Sequence, residues 1–280
     1  MGIDLREIAT NIELGSDGIW TARSSSNISY PAGGNEDCFS LEERSFWFRH
    51  RNECILHAVN SFPPPGTFFD VGGGNGYVSR ALQTAGYEVV LLEPGRVGVL
   101  NSAKRGISQV VQSALFDAGF VPGSLPAVGM FDVLEHVEND GEFLRDLRRL
   151  LTPGARLYLT VPAFRGLWSK DDVEAGHWRR YTLNGLSQLL VRSGFEVEFA
   201  TYFFRFLPLP IFLFRTLPYR FGWKKSRDAN AVRSDHETKN AFTTWLTRML
   251  TTRELSRISS GRRPRFGGSC LAVAKVKHSE

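Results

Sequence analysis

Four of the five positions 72–76 are glycine, in the stretch Phe69–Tyr77 that reads "FDVGGGNGY". The apolar run "TFF" leads into Asp70, and the glycines follow at once. Without Cβ atoms, such a loop between a strand and a helix lets a ligand touch the main chain. The spacing is D-x-G-x-G-x-G, carried by Asp70, Gly72, Gly74 and Gly76. The dinucleotide pattern G-x-G-x-x-G needs glycine at 77, where Tyr77 stands, and no Gly-Lys-Ser/Thr follows to make a phosphate loop. Seventeen residues past Gly76, Glu93 closes the run "VVLLE". A carboxylate at that strand tip can accept hydrogen bonds from both hydroxyls of a ribose. A nucleoside lying across the strand ends accounts for both features.

Acid–base chemistry has two candidates. His136 lies in "FDVLEHVEND", just past a strand; it serves either as a base or, with Glu135, to knit the loop. The second is in "LWSKDDVEAGHWRRYT", which packs Trp168, Asp171, Asp172, His177, Trp178, Arg179, Arg180 and Tyr181 into fourteen residues. A connection this long and chemically rich between strand and helix is more often functional than structural. His177 can take a proton from an acceptor hydroxyl. Arg179 or Arg180 can fork onto a phosphate or carboxylate; alternatively they pair with Asp171 and Asp172 and stiffen the loop. In "FWFRHRNE", Arg49 or Arg51 can reach a cofactor carboxylate, or Phe46 and Trp47 simply pack on the sheet.

These residues need a scaffold, and the chain supplies an alternating one. Helical periodicity from Leu41, with Ser40 and Glu43 as a capping box, ends at the "PPPG" of 63–66. Strands are expected at 67–71, 88–93, 107–112, 127–133, 155–161, 195–204 and 269–277, and helices at 76–86, 95–105, 140–151 and 182–194. Such alternation predicts an α/β fold with a doubly wound, mostly parallel sheet. Residues 1–40, with little apolar periodicity, read as an N-terminal arm.

Several of these stretches resemble the class I S-adenosylmethionine-dependent methyltransferases: "FFDVGGGNG", "VVLLEP", "FDVLEHVEND" and "LRRLLTPGARLYLTVPA". The resemblance covers about 41–203 plus the terminal strand. It implies seven strands in the order 3-2-1-4-5-7-6, the last antiparallel, with helices on both faces. It implies S-adenosylmethionine as cofactor, leaving S-adenosylhomocysteine. By that resemblance Gly72, Gly74 and Gly76 line the methionine moiety and adenosine, and Asp70 orders the loop and the amino group. Glu93 then binds the ribose, Ser113, Ala114 and Leu115 border the adenine, and Asp132, Val133 and Leu134 approach the sulfonium. "P-A-x…L-W-S…D…G-H…R-R-Y" resembles a subgroup found with surface-polysaccharide and lipid-linked pathways. The catalytic candidates are therefore His177, His136, Arg180 and Tyr181, acting on a small or lipid- or sugar-linked acceptor, with a hydroxyl as the target. Asp132, Glu135, Glu138 and Asp140 lack the Asp-Asn pair of a catechol-type metal site, so no metal is expected.

Charge adds a possible surface for the partner. The chain has 280 residues and net charge +5, but 205–265 alone carries fourteen Lys/Arg against four Asp/Glu. A basic segment on an acidic body faces either solvent or something anionic. It opens "FRFLPLPIFLFRTLPYRFGWKK", too broken by Pro208, Pro210, Pro218 and arginines for a spanning helix. Residues 204–265 are thus read as an insertion into a domain of 41–203 plus 266–280. It is a lid, a core extension or a peripheral membrane contact through 204–227. Ser234 and Glu237 make a second capping box before an apolar helix stripe of Phe242, Trp245, Leu246, Met249 and Leu250. Nucleic-acid methylation is the alternative class, but there is no Asp-Pro-Pro-Tyr box, no Pro-Cys nucleophile and no RNA-binding module. A cofactor-binding scaffold without turnover at a membrane surface is a further alternative. Three dispersed cysteines support neither disulfides nor zinc, and the charged N-terminus lacks a signal-peptide core, so a cytoplasmic setting is expected, with peripheral contact at the inner membrane face.

Overall fold

In the computed structural model the described residues are 3–24, 39, 41–222 and 241–277. The first departure from expectation is at the N-terminus. A short helix (Leu5–Ile8) and two strands, β1 (Ile12–Leu14) and β2 (Trp20–Ala22), form where a loose arm is expected. β1 and β2 pair antiparallel, and β2 joins the main sheet in parallel, Trp20 opposite Val111. Leu5, Ala9 and Ile12 are buried in the main core. Three-residue strands hold too few positions for a period to show; tertiary pairing makes them.

The remaining strands are β3 (Phe68–Val71), β4 (Val89–Leu92), β5 (Gln109–Gln112), β6 (Leu125–Phe131), β7 (Leu151–Pro162), β8 (Phe195–Phe203) and β9 (Ser269–Val276). The sheet therefore has nine strands, not seven, in the order β1-β2-β5-β4-β3-β6-β7-β9-β8. The hairpin lengthens the edge beyond β5. From β2 to β7 neighbours run parallel, and β9 is antiparallel to both β7 and β8.

Helices cover both faces: α1 (Phe46–Ser61), α2 (Tyr77–Thr84), α3 (Arg96–Lys104), α4 (Asp140–Leu150), α5 (Leu183–Arg192) and α6 (Ala241–Ser259). Alternation along the strands feeds two cores. Phe69, Leu157 and Leu159 face one with Leu144 of α4 and Leu186 of α5. Phe68 and Tyr158 face the other with Ile55 of α1, Leu82 of α2 and Ile258 of α6. Strands buried on both sides are the signature of a parallel sheet, and β3 and β4 are buried at every position.

Helix ends correct two expectations. α1 starts at Phe46, capped by Ser45, whose hydroxyl accepts from the Trp47 N–H; Ser40 lies outside the described residues, as do Ser234 and Glu237. In α6 Leu246, Met249 and Leu250 of the expected stripe are half-buried, and burial deepens beyond Leu250. Trp245 is 58% exposed, while Thr251, Glu254 and Ile258 are buried. Glu254 explains the shift: its carboxylate accepts the Phe204 and Arg205 N–H groups at 2.7 and 2.8 Å and meets His50 Nε2 of α1 at 2.8 Å. Residues 208–220 are helical with a π-helical stretch at Phe212–Thr216. No helix among the described residues is long and apolar enough to cross a membrane.

Candidate active site

The glycine loop leaves β3 and starts α2 in a backbone that side chains disfavour. Gly72, Gly74 and Gly76 have φ of 69°, 53° and 77°. A Cβ on Gly72 would lie 2.7 Å from Val133 Cγ2, and one on Gly76 2.9 Å from Ser102 Cβ. Asp70, at the strand end, is buried and accepts from Ser79 Oγ of α2 at 2.6 Å. Burial raises its pKa to about 6, against the opposing pull of Ser79 and Arg51. Glu93, just past β4, accepts the Gly74 N–H at 3.0 Å and the Gly95 N–H at 2.8 Å. One carboxylate thus ties the glycine loop to the neighbouring strand tip.

Ser113, Ala114 and Leu115 follow β5 beside it. The Ser113 hydroxyl donates to the Ala114 carbonyl, and Leu115 is buried in the main core. Strand β6 ends at Phe131, so Asp132 and Val133 fall beyond the strand expected over 127–133. Asp132 adopts φ 59°, a left-handed conformation that costs a non-glycine residue on the order of 1–3 kcal/mol. It is held there by Arg51 Nε at 2.6 Å from α1, by the Thr160 hydroxyl at 3.2 Å, and by its own N–H to the Thr160 carbonyl. Arg51 also donates to the Phe131 carbonyl and lies over Trp47. Arg51 is therefore bound to the β6 terminus, and Trp47 stacks on Phe204 at 5.5 Å.

After Asp132 a short turn, Leu134–His136, meets the connection that follows β7. The rings of His136 and His177 are 4.8 Å apart, edge to face. His177 Nδ1 lies 2.9 Å from Asp172 Oδ1. Arg180 forks onto the same carboxylate, Nε to Oδ1 at 2.7 Å and an η-nitrogen to Oδ2 at 3.0 Å. The Ser169 N–H adds a bond to Oδ2 at 2.8 Å. Burial alone would raise the Asp172 pKa, but His177, Arg180 and Ser169 overcome it and hold it at about 2. An ionised Asp172 fixes the proton of His177 on Nδ1 and leaves Nε2 as the basic nitrogen. Burial, with His177 beside it, lowers His136 to about 4. Glu135 is fully buried; burial and the Asp132 charge push its carboxyl well above the usual range. Glu135, His136 and His177 each bring a donor atom within 4.8 Å of the others.

The remaining predicted residues go elsewhere. Tyr181 is buried and donates its hydroxyl to Asp140 at 2.9 Å; burial, with Asp140 beside it, raises its pKa strongly. Arg179 pairs with Asp140, not Asp171, and Asp171 pairs with Arg215. The expected Arg–Asp stiffening of the loop is thus real for Arg180 and Asp172, with different partners for the other two.

A family model of a methyltransferase domain matches residues 45–199. The chain belongs to the methyltransferase-domain family. Relatives agree. An S-adenosylmethionine-dependent methyltransferase of Mycolicibacterium smegmatis is 24% identical over 171 residues, covering 60% of this chain and 66% of the relative. A ubiquinone biosynthesis O-methyltransferase of Xanthomonas campestris is 29% identical over 142 residues, 45% of this chain and 59% of its own length. The chain thus spans about six-tenths of the length of the curated relatives it matches. Among solved structures, a chain of the Haloferax volcanii complex between the Trm112 methyltransferase activator and a methyltransferase superposes with TM-score 0.55 at 18% identity, covering 89% of this chain and 95% of that one. An S-adenosylmethionine-dependent methyltransferase of Thermotoga maritima gives 0.52 at 14% identity, with 86% and 94% covered. At these identities the superpositions show the Rossmann-like methyltransferase fold.

The cofactor of this methyltransferase is S-adenosylmethionine. The site fits it: a three-glycine cradle with no room for Cβ atoms at Gly72 and Gly76, next to a buried acid at the adjoining strand tip. Two residues take partners other than those that sequence reasoning assigns, which gives Asp172 to the arginines alone and Arg51 to a cofactor carboxylate. Asp172 was readable only as an arginine partner, although Ser169 and Asp172 have capping-box spacing that turns Asp172 back into the loop. Arg51 reaches Asp132 across 81 positions, a pairing that no local pattern announces.

Proposed function

We propose that this methyltransferase moves a methyl group to a hydroxyl of a small or lipid- or sugar-linked acceptor, with His177 as general base. The observation that supports this reading is the chain Arg180–Asp172–His177, which engages His177 Nδ1 and leaves Nε2 outside the ion pair, in the connection that follows β7. S-adenosylmethionine, when bound, supplies a methyl group already activated by the positive charge on sulfur. A hydroxyl is a poor nucleophile until its proton is taken, and His177 Nε2 is placed to take it. His136, neutral at pH 7, walls the same space without adding a charge. Asp70, Gly72, Gly74, Gly76 and Glu93 hold the cofactor, with Ser113, Ala114 and Leu115 at its adenine end and Asp132, Val133 and Leu134 toward the transferring methyl. Arg180 positions Asp172, and Tyr181 belongs to the core, so neither touches the acceptor in this reading.

Support for oxygen as acceptor atom comes from the Xanthomonas relative, an O-methyltransferase by name. Support for an apolar acceptor comes from 204–265, taken as an appendage to the domain of 41–203 plus 266–280: Leu209, Phe214 and Phe221 are 66%, 73% and 68% exposed. The same side chains support a peripheral membrane contact through 204–227. The test is methyl transfer from labelled cofactor to a panel of hydroxylated aromatic, sugar and polyprenyl acceptors. Transfer to oxygen that His177→Ala abolishes is the expected result. Transfer to nitrogen or carbon only, or full turnover in His177→Ala, overturns the assignment.

A further inference from the structure

Five arginines line one cavity beside the terminal strand β8. Arg205 lies two residues past the end of β8, Arg257 lies in the last turn of α6, and Arg262, Arg263 and Arg265 follow that helix; Phe266 completes the wall. The cavity measures about 270 Å³. Like charges gathered this closely repel one another, and proteins usually intersperse carboxylates to offset them. Among the described residues, none of these five guanidinium groups forms an ion pair. The nearest acid in sequence, Glu254, is already engaged by His50 Nε2 and by the Phe204 and Arg205 N–H groups. Arg205 Nε is buried and finds no hydrogen-bond acceptor. A buried donor without a partner, inside an uncompensated positive cluster, points to an anion as the missing partner.

The aromatic neighbours sharpen the chemistry. Arg205 lies over the Phe266 ring at 5.3 Å and Arg263 over the Phe199 ring at 5.5 Å. Stacking occupies the face of a guanidinium and leaves its in-plane N–H groups for an oxyanion. Planar forks from several directions suit a tetrahedral phosphoryl group, with three oxygens to share, better than a single carboxylate.

We propose that this cavity binds a phosphate or diphosphate group. β8 and β7 are both antiparallel to β9, so Arg205 emerges at the same edge of the sheet as the His136–His177 pair. The site is nevertheless separate from the methyl-transfer residues, and binding there does not depend on the methyl acceptor being a hydroxyl. The phosphoryl group comes either from a lipid headgroup or from a free phosphorylated compound. The apolar segment 208–220, three residues after Arg205, makes the headgroup worth testing directly.

The experiment is calorimetric titration of the full chain with inorganic pyrophosphate at low salt, beside sedimentation with phosphatidylcholine vesicles with and without phosphatidic acid. Pyrophosphate is expected to bind at one site. Arg262→Gln with Arg263→Gln, both at exposed positions, should weaken it at least tenfold. Arg145→Gln with Arg192→Gln removes the same charge from α4 and α5 and should change it less than twofold. Thermal melts confirm that both pairs fold; Arg265→Gln serves as a second variant. Pyrophosphate binding with sedimentation on phosphatidic acid identifies a headgroup site, and pyrophosphate binding without sedimentation identifies a free phosphorylated ligand. Equal weakening by both double variants overturns the proposal, as does binding of an RNA oligonucleotide with none of pyrophosphate.

Discussion

The carboxylate of Asp172 meets His177 Nδ1 at 2.9 Å and is gripped from its other side by Arg180. A general base typically contributes about 10²- to 10⁴-fold to a proton-transfer step. His177→Ala is therefore expected to lower kcat by about 10²- to 10⁴-fold while S-adenosylhomocysteine still binds by calorimetry. Asp172→Asn keeps the shape but loses the charge that fixes the tautomer, so kcat should fall while KM for the cofactor holds. Unchanged kcat in either variant removes this pair from the mechanism.

Gly72 and Val133 form a steric pair across the cofactor cradle, with a Cβ on Gly72 falling 2.7 Å from Val133 Cγ2. Gly72→Ala must also adopt φ 69°. The expected result is a destabilisation of about 1–3 kcal/mol and weakened cofactor binding. Val133→Ala in the same chain should restore part of the stability, because it removes the clash but leaves the backbone cost. Full additivity of the two changes in urea denaturation would show that the contact is not felt. Gly74→Val, at φ 53° in the centre of the loop, is expected to abolish calorimetric binding of the cofactor.

Arg51 and Asp132 join α1 to the end of β6 at 2.6 Å, with side chains only 10% and 24% exposed. Removing one member of a largely buried pair strands the other charge, a loss of about 3–5 kcal/mol. Asp132→Ala should show that loss in urea denaturation, since it also forces alanine into the left-handed region. Arg51→Met with Asp132→Asn removes both charges and should recover much of it. A loss under about 1 kcal/mol for Asp132→Ala would mean that water, not Arg51, satisfies the aspartate.

The donor atoms of Glu135, His136 and His177 lie within 4.8 Å of one another, close enough for an added soft cation to find them. Turnover in this reading uses His177 as a base and no metal. A chelator should leave kcat unchanged, whereas zinc should inhibit and the chelator should then restore activity. Loss of activity on chelation, recovered by a divalent ion, would make this cluster a metal centre instead.

The glycine loop and the acid at the neighbouring strand tip were legible from sequence because they depend on local facts. Glycines at 72, 74 and 76 and an acid at 93 keep their meaning wherever the strands lie, as long as strands and helices alternate. The parallel strands were legible for the same reason: β3 and β4 are buried at every position, and apolar but for Asp70, because both faces are covered. The hairpin Ile12–Ala22 was not, since three-residue strands acquire their conformation from pairing with β5. The catalytic end was half legible. His177 stands out by type and place, but its proposed role depends on the ring of His136, 41 positions away, and on Asp172 being ionised beside Arg180. Arg51 and Glu254 illustrate the limit. Each is buried because a distant backbone end needs it, Arg51 at the Phe131 carbonyl and Glu254 at the Phe204 N–H.

A buried and a half-buried histidine set opposite slopes on stability against pH. Burial opposes the charge on His50, but Cys54, Glu254 and Glu53 around it outweigh burial and raise its pKa from 6.5 to about 11. A group raised in this way contributes fully below its unfolded value, so stability declines as pH climbs from about 6.5 toward 11. His136 is the reverse case. Burial, with His177 beside it, lowers it to about 4, so the unfolded chain takes up the proton first and stability declines as pH falls from 6.5 toward 4. Thermal melts of the parent and of each histidine variant across pH separate these two contributions from those of Asp70 and Glu135, whose raised carboxyls favour the folded chain as pH falls. His50→Gln should lower the melting temperature at neutral pH and flatten the alkaline limb, because Glu254 keeps its two N–H partners but loses the imidazolium. His136→Asn should flatten the acid limb alone. An alkaline decline that survives unchanged in His50→Gln would show that the imidazole is neutral in the folded chain, and that α6 is held to α1 by packing rather than by charge.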